Sequence, residues 1–90
     1  MRYAEIVFMQ GDEGRELTDS LCNVEGVVAH GATAKSITET IEYLSQWDMG
    51  EYHDIREDTG AGAYDTVVEE GDYVLTYNLG LGYVGLMRKM

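Results

Sequence analysis

The C-terminal part of the chain contains an uncharged stretch, residues 73–87, that few folds can accommodate. At 15 residues it is too short to cross a bilayer, which takes about 20 apolar residues. Two glycines near its middle separate two runs of apolar side chains, and glycine readily adopts the positive φ of a tight hairpin. The stretch therefore predicts two antiparallel strands, Tyr73–Asn78 and Tyr83–Arg88, joined by a turn at Leu79-Gly80-Leu81-Gly82.

Two more strands are predicted outside this hairpin. Tyr3–Met9 has a continuous apolar centre, and the glycines and acids of Gly11-Asp12-Glu13-Gly14 then indicate a turn. Thr66-Val67-Val68 predicts a short strand, with Glu69-Glu70-Gly71-Asp72 as the turn that follows. Between these regions, Gly50–Gly62 is typical of a long polar loop.

The clearest helical pattern covers Ser36–Trp47. Ser36 and Glu39 have the spacing of a capping box, in which each side chain bonds an otherwise unpaired backbone N–H. Apolar side chains recur at helical spacing along one face: Ile37, Ile41, Leu44 and Trp47. Similar spacing predicts a second helix that ends near Gly31, although poor helix formers leave open a break near Asn23; its inward residues are Leu17, Leu21, Val24 and Val28.

A strand, then helices, then strands is the order typical of an α+β fold. We therefore expect a single domain, residues 1–90, with an antiparallel sheet of three to four strands and one or two helices packed on one face. The chain is 44% hydrophobic, which is too apolar for a disordered acidic segment.

The N-terminal residues and the cysteine content bear on the cellular location. Met1–Gln10 contains Glu5 and lacks the long apolar run of a signal peptide, so we expect a cytoplasmic protein. Cys22 is the one cysteine, which allows no intramolecular disulfide and no multi-cysteine metal site.

Motifs that would indicate catalysis do not fit their context. Gly80–Gly85 matches the GxGxxG pattern of dinucleotide-binding proteins, but that pattern requires a following helix, and only five residues remain. His53 lies among carboxylates whose spacing matches neither a calcium loop nor a zinc protease motif. We therefore predict no catalytic residue, no cofactor and no metal site, and keep a metal-dependent hydrolase or sensor at His53 as a minor alternative.

Negative charge is concentrated in residues 48–72, which we call the acidic band. This segment contains nine Asp and Glu residues but only one Lys or Arg, Arg56, and tyrosines are interleaved with the acids. Tyrosines beside charged groups are typical of binding surfaces, because tyrosine gives a large contact area at low entropic cost. The band therefore predicts these partner-binding residues: Asp48, Glu51, Tyr52, Asp54, Glu57, Asp58, Tyr64, Asp65, Glu69, Glu70 and Asp72.

The net charge of −11 decides which partners are possible. Direct binding to nucleic acid or to an anionic membrane is excluded, since both require clustered Lys and Arg. The expected partner is a basic protein surface, such as the nucleic-acid channel of a larger complex. A row of carboxylates can occupy such a channel and exclude its ligand, with fast and salt-dependent association.

Trp47-Asp48-Met49-Gly50-Glu51-Tyr52 and Tyr77–Tyr83 look like segments of small phage or bacterial proteins. In size, acidity and lack of a cofactor motif, the whole chain resembles the phage-encoded inhibitors of bacterial defence, the anti-CRISPR and anti-restriction proteins, some of which mimic DNA. This resemblance implies a non-catalytic inhibitor that acts in the host cytoplasm. It carries over no individual residue.

An alternative from a different class is a homo-oligomeric structural or accessory protein whose acidity serves only solubility. Subunits would pair through an exposed edge of the C-terminal strands, because the uncharged stretch is larger than one small core requires. The side chains buried between subunits would be Tyr77, Leu79, Leu81 and Tyr83.

Overall fold

The structure is a computed structural model that describes residues 1–22 and 31–90. The strands within these residues are β1 (Tyr3–Met9), β2 (Ile55–Arg56), β3 (Thr66–Glu70), β4 (Tyr73–Asn78) and β5 (Tyr83–Lys89). They form one antiparallel sheet in the spatial order β2-β1-β5-β4-β3. The helices are α1 (Gly11–Cys22) and α2 (Ala34–Leu44), and a 3-10 turn, Ser45–Trp47, follows α2. The predicted α+β fold is confirmed, with more strands than the three to four expected.

β4 and β5 form the predicted hairpin at the centre of the sheet. Its turn closes with a hydrogen bond of 2.9 Å from the Gly82 N–H to the Asn78 carbonyl, and Gly82 has a φ of +73°. β1 pairs along the outer side of β5, and β3 along the outer side of β4. The hairpin strands therefore offer no exposed edge in the sheet, so subunits cannot pair there in the way that the alternative supposed.

One face of the central hairpin forms the core with the helices. Leu75 is the register partner of Leu86, and Tyr77 is that of Val84, and all four are buried. Three buried helical side chains pack against them: Leu21, Ile41 and Leu44. Each fully buried leucine contributes about 2 kcal/mol of burial free energy.

The opposite face of the sheet is covered by residues 57–65, which we call the crossing segment. β2 and β3 lie at opposite edges of the sheet, about 19 Å apart at the usual strand spacing, so the chain between them must cross one face. Thr59 lines a cavity of about 240 Å³ together with Thr76, which places the crossing on the side away from the helices. Val74 and Met87 face this side and are buried, and Met87 lines the same cavity as Thr59.

The capping box of α2 lies three residues before its predicted position. Thr33 is the N-cap: its Oγ1 accepts a hydrogen bond of 3.0 Å from the Ser36 N–H, and Ser36 Oγ accepts one of 2.9 Å from the Thr33 N–H. Ser36 is therefore the third helical residue, and Glu39 is left on the surface. Trp47, predicted to face the core, is 37% exposed, because the last turn tightens and carries it to the margin of the core.

α1 begins where the sequence predicted a turn, at Gly11. Gly14 is buried because the helix packs closely on the chain beneath it. A Cβ at this position would lie 2.7 Å from the Met9 carbonyl oxygen, and closer still to the Gly82 carbonyl oxygen. This glycine therefore marks a close approach between α1 and the hairpin turn, rather than a reversal of the chain.

A second contact holds α1 on the hairpin turn. The Arg15 guanidinium donates hydrogen bonds to the carbonyl oxygens of Leu79, at 3.3 Å, and Gly80, at 3.4 Å. The two neighbouring residues 14 and 15 thus fix the position of α1 relative to β4 and β5.

Two predicted irregular segments contain strand residues. Glu69 and Glu70, predicted as a turn, extend β3, which leaves Gly71-Asp72 to make the reversal. β2 lies inside the predicted loop Gly50–Gly62. With two residues paired to β1, it is too short to produce an alternating pattern in the sequence.

The remaining helix prediction is tested only in part. Leu21 is buried and Leu17 packs against the core, as predicted. Val24, Val28 and the predicted break near Asn23 lie outside the described residues. Among the described helices, none has the length and apolar character of a membrane span.

Gly14→Ala should destabilise the protein, although alanine favours helices. At an exposed helical position this change stabilises by up to about 1 kcal/mol, but here the added methyl collides with two backbone oxygens, and overpacking costs about 1–3 kcal/mol. We expect the free energy of unfolding in urea to fall by about 1–3 kcal/mol. Ser20→Ala, at an exposed position of the same helix, is the control and should be neutral or slightly stabilising. Unchanged stability of Gly14→Ala would contradict the close approach.

Candidate functional site

Asp48, the first acid of the acidic band, points into the protein. Only 8% of its side chain is exposed. Its Oδ2 accepts hydrogen bonds from the Tyr73 hydroxyl at 2.6 Å and from Arg88 Nη1 at 3.0 Å. Its Oδ1 accepts from the Tyr52 hydroxyl at 2.8 Å and from the Gly50 N–H at 3.0 Å. Asp48 therefore ties the end of the helical layer to β4 and β5.

These hydrogen bonds stabilise the charged form of Asp48. The bond from Tyr73 is the largest cause, and the pKa of the carboxyl falls from 3.8 to about 2. The same carboxylate raises the pKa of the Tyr52 and Tyr73 hydroxyls. The prediction that Asp48 and Tyr52 contact a partner does not fit this arrangement, because their polar groups are engaged with each other.

Asp65 holds the crossing segment on the opposite face in a similar way. Its Oδ1 accepts hydrogen bonds from the Tyr83 hydroxyl and, at 3.2 Å, from Asn78 Nδ2. Its Oδ2 accepts from the Gly62 N–H at 2.8 Å. The Tyr83 hydroxyl is the main reason why the pKa of Asp65 lies below its usual value. Asp65, like Asp48, therefore stabilises the fold through its hydrogen bonds.

Arg56 neutralises part of the acidic band. Its Nη2 lies 3.1 Å from Asp54 Oδ2 and 3.0 Å from Glu5 Oε1, so one guanidinium bridges two carboxylates across β1 and the chain before β2. Its hydrogen bond lowers the pKa of Asp54. Asp54 is half-exposed but already has a cation beside it.

The acids around the β3–β4 turn also contact the protein itself. The Thr38 hydroxyl of α2 donates to Glu70 Oε1 at 2.8 Å. Two ion pairs involve β5: Lys89 with Glu69 at 3.3 Å, and Arg88 with Asp72 at 3.6 Å. Exposed ion pairs of this kind contribute about 0–1 kcal/mol, so they do little for stability but reduce the local charge.

The acidic band therefore does not form one continuous surface. Glu70 contacts α2 on the helical side, whereas Asp65 binds Tyr83 on the opposite side. Its most open members are dispersed on loops: Glu51, Glu57, Asp58 and Tyr64. Exposed His53 lies 4.0 Å from Glu51, and no group of three potential metal ligands occurs in the described part of the chain.

A different acidic surface, which we call the helical groove, lies between α1 and α2. It is a concavity of about 580 Å³. Its apolar lining comes from Met9, Leu17 and the rings of Tyr43 and Trp47. The two rings pack edge to face with centroids 5.3 Å apart. Tyr43 is 49% exposed, so this aromatic pair is presented to solvent.

Three carboxylates also line the helical groove, Glu13 and Glu16 from α1 and Glu39 from α2. None of its lining residues in the described chain is Lys, Arg or His. Lys35 Nζ lies 3.9 Å from Glu39 Oε1, but both side chains are exposed, so this ion pair is weak. The groove thus combines an aromatic wall with three carboxylates that the described residues neutralise only weakly, a combination that attracts cations.

The helical groove does not follow from the sequence pattern, for two reasons. The sequence predicts a turn at Glu13 and a core position for Trp47, so it predicts neither residue in a groove. One signal was available: Glu39, Tyr43 and Trp47 recur every four residues and therefore share one side of a helix. The opposite wall, which contains Glu13 and Glu16, forms only because α1 starts at Gly11.

Comparisons with protein-family models, with curated proteins and with solved structures found no match to this chain.

Asp48→Asn should show how much the buried carboxylate stabilises the fold. Since the pKa of Asp48 is lower in the folded protein, its contribution is fully present above about pH 4 and is lost as the pH falls toward 2. We expect the variant to be about 2 kcal/mol less stable at pH 7, with the difference shrinking between pH 4 and pH 2. Urea unfolding at several pH values measures it.

Glu51→Gln is the control, because Glu51 is an exposed acid of the same loop. It should change stability by less than about 0.5 kcal/mol. A loss in Asp48→Asn that stays constant with pH would contradict the stabilising role of the charge.

Proposed function

We propose that this protein is a non-catalytic inhibitor that binds a basic protein surface and excludes nucleic acid from it. The target is a bacterial nucleic-acid-processing or defence complex, as for the anti-CRISPR and anti-restriction proteins that the chain resembles. Inhibition of this kind is stoichiometric: one copy occupies the site that phosphate groups would otherwise enter.

The observation that carries this proposal is the helical groove. Protein interfaces are enriched in Tyr and Trp, which supply most of the binding energy when they are desolvated. Here an exposed Tyr43–Trp47 pair stands beside Glu13, Glu16 and Glu39. A basic surface satisfies both features, because its cations pair with the carboxylates while its side-chain stems cover the rings.

The excess negative charge supports the proposal through association kinetics. A protein with a net charge of −11 is steered toward a positive surface, and steering raises association rates most at low ionic strength. The same excess repels free nucleic acid, so the inhibitor does not bind the ligand that it replaces.

Affinity capture with a competitor tests the proposal. The tagged protein is incubated with nuclease-treated bacterial lysate and then eluted with excess duplex DNA. We expect DNA to release nucleic-acid-binding proteins, since both compete for one site, and we expect these proteins to lose DNA binding when the inhibitor is added back. Release should also rise steeply with salt.

Two charge-reversal variants identify the surface that binds. Glu13→Lys/Glu16→Lys/Glu39→Lys changes the helical groove, and Glu51→Lys/Glu57→Lys/Asp58→Lys makes the same change in net charge on the loops of the acidic band. With the fold of both verified by circular dichroism, the groove variant should lose at least tenfold in capture, and the loop variant should lose much less. Proteins that DNA never displaces, or no capture by the wild type, would contradict the proposed function.

A further inference from the structure

We propose that the helical groove binds arginine side chains of its partner in preference to lysine. The inference rests on the proposed function, since it specifies which basic side chain the groove takes. It commits to one occupant, an arginine-bearing protein segment.

The charges that line the groove decide whether its ligand is cationic, neutral or anionic. Glu13, Glu16 and Glu39 line it from both helices, and no basic side chain shares the lining in the described residues. An uncharged apolar segment would leave these carboxylates without partners as water is excluded, which is costly. An anionic segment would be repelled. Charge complementarity therefore selects a cation.

The aromatic wall distinguishes between the two basic side chains. A guanidinium is planar and weakly hydrated, so it stacks on an aromatic ring and gives up little solvation, whereas a lysine ammonium is compact and strongly hydrated. Tyr43 and Trp47 supply two such rings, 5.3 Å apart and nearly perpendicular. The groove can thus receive a guanidinium against one ring, with its edge against the other.

The carboxylates add geometric selection. A carboxylate and a guanidinium form two parallel hydrogen bonds, which a single ammonium cannot reproduce. Glu39 stands one helical turn before Tyr43 on α2, so a guanidinium at the ring has a carboxylate on the same helical side. Met9 and Leu17 offer an apolar surface for the methylene stem.

Trp47 makes the inference directly measurable, because it is the single tryptophan in the chain. Its emission is recorded while three peptides of equal length are titrated, each with four identical test residues separated by alanine and glycine. The test residue is arginine, lysine or citrulline, the last an uncharged analogue of arginine. We expect saturable changes in Trp47 emission, about tenfold tighter binding of the arginine peptide than of the lysine peptide, and no binding of the citrulline peptide.

Matched variants assign the effect to the groove. Glu39→Gln should weaken binding of the arginine peptide several-fold, whereas Glu42→Gln, on α2 but outside the groove lining, should not. Tyr43→Leu keeps every charge and should reduce the arginine preference while binding of the lysine peptide persists. Calorimetry measures the same affinities without the fluorophore.

Several results would overturn the inference. Equal affinity for the arginine and lysine peptides would mean that charge alone attracts them. Equal effects of Glu39→Gln and Glu42→Gln would place binding elsewhere. If Trp47 of the free protein is shielded from acrylamide, the chain itself occupies the groove, and if shielding grows with protein concentration, a second copy does.

The outcomes separate this inference from the proposed function. If none of the peptides binds but the loop variant no longer captures the proteins that DNA displaces, the proposed function stands, and the groove is not the surface that binds the target. If the arginine peptide binds in the groove but DNA displaces nothing, the arginine preference stands and the inhibitor proposal fails.

Discussion

The central hairpin has buried side chains on both of its faces. The rest of the chain must therefore cover both faces. Leu75 and Leu86 on one side and Val74 and Met87 on the other are all inaccessible to solvent or nearly so. A sheet of this kind needs two covers, because each face exposed to water would forfeit the burial free energy that holds a small domain together. The helices supply one cover and the crossing segment supplies the other.

The two covers are anchored by buried or half-buried carboxylates. Asp48 fixes the end of the helical layer through Tyr73 and Arg88, and Asp65 fixes the crossing segment through Tyr83. Each acid accepts several hydrogen bonds, so its charge is stabilised without leaving a buried polar atom unpaired. The acidic residues of the chain thus fall into two groups: those whose hydrogen bonds stabilise the fold, and those that are exposed to solvent.

Local sequence patterns predicted the strands and turns that neighbouring residues are enough to determine. The hairpin of β4 and β5 and the strand β1 follow from apolar runs and turn glycines, and they lie where these patterns placed them. The start of α1 could not be read in this way, because Gly14 owes its identity to a backbone contact with Gly82, far away in sequence. The capping of α2 differed because Thr33 and Ser36 both have a hydroxyl that can cap, and the sequence favours neither strongly.

The helical groove shares the type of side chains expected of the acidic band, but none of its residues. Acidity beside aromatic side chains in residues 48–72 predicts a surface for a basic protein, and the helical groove combines the same types of side chain at other positions. The acidic band, however, is contiguous only along the chain. Its residues are distributed to both faces of the sheet by the crossing segment and by the alternation of β3, a consequence of topology that no local pattern contains.

The contact of Gly14 with the hairpin turn has a consequence for the groove on the other side of α1. The helix that supplies Glu13 and Glu16 is seated by Gly14 against Gly82 and by Arg15 against the turn carbonyls. The distance between the two walls therefore depends on residues that are not part of the groove lining. A substitution at Gly14 or in the hairpin turn should therefore change the width of the groove without altering any residue that lines it.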